Sequence, residues 1–313
     1  MNNHELKFFY GSSNPELGKK IAENLGIKAG KTILKKFSNG ETYFQFAENV
    51  RGNDLFLMQT GCEPINDYLM ELLIMVDAAR RSSASRITVV MPNYFYARQD
   101  RKTASREPIT AKLVADLITT AGADRILTMD LHSDQIQGFF NIPLDNLPTR
   151  TMLVDKALKI SGKNSVIISP DAGGAKAATK ISYKKELPLA IINKIRLKHN
   201  EAQCLEIIGE NVKGKNCLIF DDMVDTAGSL CGAADLLKKK GAKKIYGFAT
   251  HGILSGNAIE KLENSKIDKL FITDTLPLKK ESKKIEIISI SKYLANAIKC
   301  VHNNESVSLL FKE

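Results

Sequence analysis

Asp221, Asp222 and Asp225 stand at the end of an apolar run in the segment KNCLIFDDMVDTAGSL, Lys215–Leu230. Asn216–Phe220 reads as a buried strand, and a helical pattern follows Ser229. A short loop ahead of a helix presents backbone N–H groups and the positive end of the helix dipole, which suits a phosphate. Thr226 and Ser229 can add hydroxyl donors, and the carboxylates just upstream can accept hydrogen bonds from vicinal sugar hydroxyls. One loop therefore provides for both ends of a sugar phosphate such as ribose 5-phosphate. An ordinary capped turn needs only Thr or Ser at its helix start, and adjacent acids at the strand end are not part of that pattern.

The elements that must position this loop are legible on both sides of it. Strand-like apolar runs recur at Lys7–Tyr10, Leu55–Gln59, Ile87–Pro92, Arg125–Asp130, Ser165–Ser169, Ala190–Ile192, Asn216–Phe220, Lys244–Ala249, Lys269–Ile272 and Ile285–Ser289. Helical patterns lie between many of them. Leu69, Leu72, Leu73 and Val76 share a face behind an Asn66–Asp67 cap, and Pro108 opens a helix carrying Ile109, Leu113, Val114 and Leu117. This alternation predicts an α/β fold with a mainly parallel, doubly wound sheet in each half, and such sheets bind ligands at the carboxyl ends of their strands.

An internal repeat supports two similar halves. ADLITTAGADRILTMDLH (Ala115–His132) and ADLLKKKGAKKIYGFATH (Ala234–His251) align at a constant offset of 119 residues, each reading as helix, glycine, then strand ending in histidine. The segment Asn141–Arg150, with two prolines and no clear periodicity, reads as the linker. The expected division is residues 1–146 and 147–301, with the tail 302–313 packing back on the first domain.

Composition narrows the class. No apolar run approaches the roughly 18 residues of a membrane helix, and the N-terminus MNNHELKFFYG has no secretory pattern. Five scattered cysteines without a CxxC pair argue against a disulfide scaffold or a zinc site and point to a reducing cytoplasm. The net charge of +10 rests on short lysine clusters, Lys238–Lys240 with Lys243 and Lys244, and Lys279–Lys284, without interleaved aromatics. These read as solvated helix ends and loops rather than a nucleic-acid surface. The expectation is a protein with no nucleic-acid or membrane partner.

The pattern acidic-acidic-x-x-Asp-Thr-x-Gly-Ser after a strand resembles the ribose-phosphate loop of type I phosphoribosyltransferase folds. Further stretches narrow the resemblance to the class I ribose-phosphate pyrophosphokinases: FSNGE (Phe37–Glu41), ENVRG (Glu48–Gly52), YARQDRK (Tyr96–Lys102), PITAKLVADL (Pro108–Leu117), DLHSDQIQGFF (Asp130–Phe140), SPDAGG (Ser169–Gly174), ATH (Ala249–His251) and ESVSLLF (Glu305–Phe311). They run in the family's order from about residue 8 to the C-terminus. The resemblance implies two phosphoribosyltransferase-like domains related by duplication. It also implies transfer of the β,γ-diphosphoryl group of Mg-ATP to the anomeric hydroxyl of ribose 5-phosphate, giving phosphoribosyl diphosphate and AMP for nucleotide biosynthesis.

Carried over residue by residue, the resemblance implies that Arg98 and Gln99 bind ATP together with Asn39, Gly40 and Glu41, the second group coming from a neighbouring subunit. His132 and Asp171 would hold Mg²⁺, Lys194 and Arg196 would be catalytic, and Arg196, Asp221, Asp225, Thr226, Ala227, Gly228 and Ser229 would bind ribose 5-phosphate. Lys194 and Arg196 lie in Asn193–Gln203, which lacks apolar periodicity and reads as a loop able to close over the triphosphate. The family's assembly is a hexamer built from dimers. Its members are often activated by phosphate and inhibited by ADP at subunit interfaces, which points to Ser306 and Ser308 with Arg51, Gln137 and Asn146.

Three positions depart from the family pattern, Asn39 for an aspartate, Ile195 for a second arginine and Ala227 for a common glycine, while Ser229 in place of threonine keeps a hydroxyl. They keep a catalytically weak regulatory homologue as an alternative, alongside a type I phosphoribosyltransferase. If residue 227 needs a positive φ, alanine costs roughly 1 kcal/mol relative to glycine. The expectation from sequence is then weaker ribose 5-phosphate binding, relieved several-fold by Ala227→Gly.

Overall fold

The computed structural model describes residues 4–162, 164–171, 173–195 and 204–310. The chain divides into two compact units: residues 4–148 with 275–277 and 289–310, and residues 149–274 with 278–288.

The first unit is built on a five-stranded parallel sheet, β1 (Leu6–Tyr10), β4 (Asp54–Met58), β5 (Arg86–Met91), β6 (Arg125–Met129) and β7 (Leu144–Leu147), in that spatial order. Helix α1 (Pro15–Leu25) follows β1. An antiparallel hairpin, β2 (Thr32–Lys36) and β3 (Thr42–Phe46), stands outside the sheet, and α2 (Ile65–Arg81) packs against β3. Helix α3 (Thr110–Ala121) leads into β6. Phe9, Leu55, Leu57, Val76, Val89 and Ile118 join one continuous core.

Two expectations for these helices need correction. Helix α2 begins at Ile65 without a side-chain cap, so Asn66 and Asp67 lie inside its first turn. Helix α3 begins at Thr110, and its buried face is Ala111, Val114, Ala115 and Ile118. Leu113 and Leu117 are 55% and 40% exposed, and Ile109 is 37% exposed, so the large residues of the expected stripe face outward.

A polar cluster closes the carboxyl ends of β1 and β4. Buried Glu71 accepts from the backbone and hydroxyl of Ser12, both at 2.6 Å, and from Gln59 Nε2 at 2.7 Å. Gln59 Oε1 in turn accepts from the N–H and hydroxyl of Ser13. Each buried polar atom thereby finds a partner.

The second unit opens with α4 (Arg150–Ser161). Its seven-stranded sheet has the order β10 (Cys204–Gly209), β9 (Leu189–Ile195), β8 (Ser165–Ser169), β11 (Asn216–Val224), β12 (Lys244–Gly252), β13 (Lys269–Thr273), β14 (Ile285–Ile288), parallel except for β10. Helix α5 (Ala175–Lys185) follows β8, α6 (Gly228–Lys239) follows β11, and α7 (Ala258–Asn264) follows β12. Strand residues alternate between the two faces. Val166, Ile168, Cys217 and Ile219 join the core under α6 and α7, while Ile167, Leu218 and Phe220 join the one under α4 and α5. Phe248 stacks between Phe220 and Phe271 with ring centroids 5.0 and 4.9 Å away.

The repeat falls on equivalent pieces, α3–β6 and α6–β12, with Gly122 and Gly241 at positive φ after each helix. The expected linker Asn141–Arg150 contains β7 and reaches the start of α4, and the units divide between Pro148 and Thr149. The chain then returns. Helix α8 (Ser291–His302) packs on α1 and belongs to the first unit, whereas the sequence expectation kept everything to residue 301 in the second. Buried Asp54 fixes this return: it pairs with Arg86 and with His302 Nδ1 at 2.7 Å, and Arg86 also donates to the Val301 carbonyl at 3.0 Å.

Candidate active site

In the second sheet the winding reverses between β8 and β11: β9 and β10 lie to one side, and β12, β13 and β14 lie to the other. Such a reversal opens a crevice at the carboxyl ends of the two strands, because their following loops diverge to opposite faces. The first sheet runs β1, β4, β5, β6, β7 in one direction and contains no reversal. The second unit therefore carries the crevice. The paired register, Ile219 opposite Ile168, brings the ends of β8 and β11 side by side, with Asp171 beyond one and Asp221 on the other.

Asp171 is held by its own turn. Its Oδ1 accepts from the Gly174 N–H at 3.0 Å, and its carbonyl accepts from Ser169 Oγ at 2.7 Å. A Cβ on Gly173 would stand 3.2 Å from Asp171 Oδ1, so the turn is tight where glycine occurs.

Strand β11 runs four residues further than its apolar stretch suggests: Asp221 pairs with Ala249, and Met223 with His251. The acids are therefore part of the strand rather than of a loop after it. Asp221 is exposed at the strand end, with Asp222 next to it on the strand and Asp171 at the neighbouring strand end. Loss of hydration first, then hydrogen bonding and charge repulsion from Asp222 and repulsion from Asp171, pushes its pKa up to about 8. A carboxyl so placed gains from a hydroxyl donor or a cation brought to the crevice. Asp222 was not among the site residues taken from the sequence; its signal was the adjacency of two acids.

The loop beyond is built as the sequence suggests, with one exception to ordinary geometry. Ala227 is the N-cap of α6 at φ 58°, ψ 5°, a left-handed conformation that alanine rarely takes. Its methyl is buried, 4% exposed, in the core with Val224, Leu230, Leu254 and Ala258. Thr226, Gly228 and Ser229 are exposed at the helix start. His251, the repeat partner of His132, is 2% exposed within β12.

Lys194 lies on β9, with its backbone opposite Leu205 of β10, so the expected loop starts later than Asn193. Arg196 lies outside the described residues, as do the other residues of 196–203.

The first unit holds the rest. His132 is exposed just past the end of β6, after Asp130 at φ 34°. Arg98 and Gln99 are exposed in the loop after β5, where Gln99 Oε1 accepts from Thr110 Oγ1. Asn39, Gly40 and Glu41 form the exposed tip of the β2–β3 hairpin, closed by Phe37 N to Glu41 O at 2.8 Å and Glu41 N to Asn39 Oδ1 at 3.2 Å. Gln137, Asn146, Ser306 and Ser308 line one cleft of about 420 Å³ with Arg125 and Glu305. Arg51 lines a different one, with Glu48, Asn49 and Arg81.

Among the described residues no group of three or more His, Cys, Asp or Glu is poised to hold a metal ion. Mg²⁺ does not require one: it keeps several waters and takes one or two carboxylates beside substrate phosphates. Asp171 is a carboxylate of that kind at the crevice, and its chemistry is compatible with that ion. His132, an imidazole, is a less typical ligand for it.

A family model described as the N-terminal domain of ribose phosphate pyrophosphokinase matches residues 6–122, and one for the phosphoribosyl synthetase-associated domain matches residues 195–312. The ribose-phosphate pyrophosphokinase of Clostridium acetobutylicum is 50% identical over 319 residues, covering 100% of both chains. That of Nitrosomonas europaea is 46% identical, again over 100% of each. The crystal structure of phosphoribosylpyrophosphate synthetase from Mycobacterium smegmatis superposes with a TM-score of 0.91 at 41% identity, covering 96% of this chain and 99% of that one.

Proposed function

The chain belongs to the family of ribose-phosphate pyrophosphokinases, and we propose on that premise that it transfers the β,γ-diphosphoryl group of ATP to the anomeric hydroxyl of ribose 5-phosphate, releasing AMP. The observation that carries this reading is the placement of Asp171, Asp221 and the 225–229 loop around one strand-end crevice, in a chain that matches the synthases along its whole length. Similarity over both halves favours the synthase over a nucleobase phosphoribosyltransferase. One incubation with ATP, Mg²⁺ and ribose 5-phosphate, assayed for AMP and phosphoribosyl diphosphate, tests it. Absence of both products would leave the regulatory homologue.

In this reading Asp221 accepts hydrogen bonds from the sugar hydroxyls, with Asp222 beside it. Backbone N–H groups and hydroxyls of Asp225, Thr226, Ala227, Gly228 and Ser229 hold the 5-phosphate at the start of α6. Arg98 orients the triphosphate, and Gln99 meets an adenine edge, with Asn39, Gly40 and Glu41 supplied by a neighbouring copy. By the family motifs Asp171 and His132 are the residues that would hold Mg²⁺, and the ion would supply charge neutralisation at the phosphates. Lys194 and Arg196 meet the charge that develops as the anomeric oxygen attacks the β-phosphorus in line. These roles follow the family motifs residue by residue.

The same reading makes the protein a cytoplasmic homohexamer with shared active sites. Met70, Ile109, Leu113 and Leu117 are exposed on the packed pair α2 and α3, which supports burial against another copy. No helix among the described residues is long and apolar enough to cross a membrane. The cleft lined by Gln137, Asn146, Ser306 and Ser308 is the proposed regulatory site, without Arg51 of the same chain.

A further inference from the structure

From the end of β11 to the start of α6 four successive carbonyls are bonded, three of them to the segment 254–261 and the fourth within α6 itself. Val224 O accepts from Leu254 N at 3.1 Å, and Asp225 O from Ser255 N at 3.1 Å. Thr226 O accepts from Lys261 Nζ at 3.4 Å, and Ala227 O from Cys231 N at 2.9 Å. A trans peptide unit points its N–H opposite to its C=O. Fixing these oxygens therefore turns the following N–H groups toward the other side, where Thr226, Gly228 and Ser229 are exposed. Ala227 makes the turn possible with φ at 58°, and its methyl goes to the core side, not to the ligand side.

From this geometry we infer that Ala227 is a positioning residue that presets the phosphate loop. This rests on the reading of the loop as the ribose 5-phosphate site. The left-handed conformation is held by contacts within the chain itself, the ties to the Val224 and Asp225 carbonyls and the packing of the Ala227 methyl, so its cost falls on the stability of the folded chain and is common to free and bound states. It subtracts nothing from binding. Glycine at 227 would restore conformations that alanine denies to the free loop and would leave a hole where the methyl packs. Binding would then have to order what is now already ordered.

The sign expected from the sequence alone is thereby reversed. Ala227→Gly should raise the KM for ribose 5-phosphate roughly two- to five-fold, with the KM for ATP moving much less. Amide hydrogen exchange gives an independent reading. Loop amides 226–229 should exchange faster in the free variant than in the free wild type, and saturating ribose 5-phosphate should erase the difference. A KM for ribose 5-phosphate that is unchanged or lower, or equal exchange in the two free proteins, overturns the inference. If the wild type itself neither turns over nor is protected by ribose 5-phosphate, the assignment of the site fails first, and the two failures are told apart by the wild-type control.

Discussion

The backbone N–H of Asp222 donates to Oδ1 of Asp221 at 2.9 Å, which holds the two acids side by side at the end of β11. Loss of hydration and repulsion from Asp222 disfavour two adjacent charges and raise the Asp221 carboxyl.

Stability should therefore depend on pH through Asp221. Its carboxyl is raised from an ordinary 3.8 to about 8, so the folded form binds the proton more tightly than the unfolded one. The stability this confers is complete below the ordinary value and is lost as pH rises toward about 8. Asp221→Asn should have a Tm advantage over the wild type that grows between about pH 5 and 8 and then levels off. Thermal melts across that range check it; an advantage independent of pH would contradict the raised carboxyl.

Lys194→Ala should lower turnover by on the order of 10² or more while ATP binding changes little. Its backbone is fixed on β9 against β10, so the substitution removes a charge from an ordered strand. Steady-state kinetics with a separate nucleotide-binding titration decide the matter, and near-normal turnover would remove Lys194 from catalysis.

Inorganic phosphate should activate the enzyme, and ADP should inhibit it other than by competition with ATP. The combined Ser306→Ala and Ser308→Ala change should flatten the phosphate response, since both hydroxyls line the cleft with Gln137 and Asn146. Activity that stays flat from zero to tens of millimolar phosphate, on the order of weak binding, would empty the cleft of this role.

Arg86→Met should destabilise the first unit by about 3 kcal/mol, because it leaves the carboxylate of Asp54, which is 2% exposed, with His302 but without its guanidinium partner. Adding Asp54→Asn should recover part of that loss. Urea denaturation of the two variants gives the comparison; an additive double variant would mean the pair is not coupled.

What was legible follows from chemistry that is local in sequence. The parallel strands stand out because burial on both faces makes them continuous apolar runs, and the phosphate loop stands out because strand, acids, hydroxyls and helix are consecutive. The β2–β3 hairpin was missed: its residues are mostly half-exposed or exposed, so Thr32–Lys36 shows no strong alternation, and its FSNGE tip reads as a motif rather than a turn. Strand β10 was missed because it pairs antiparallel at the sheet edge, where Ile208 is 52% exposed. Half of the inner face of α3 is alanine, Ala111 and Ala115, which a search for large apolar residues passes over. At the site, the φ of Ala227 goes with bonds from Leu254 and Ser255 to the carbonyls just before it, partners that no local pattern announces.

The return of the chain to its first unit sets the order in which the two halves can be completed during synthesis. The second unit has all of its residues once Ile288 has emerged, in a nearly continuous stretch from Thr149. The first unit does not: Leu294, Ala297, Ile298 and Val301, which α8 buries as it packs on α1, emerge only after the second unit's residues. Until then Asp54 has Arg86 but lacks His302, and Asn24 lacks Ser291 and Lys299. Domains tend to fold as units in the order they are made. Here the half that is translated first is the half that is finished last.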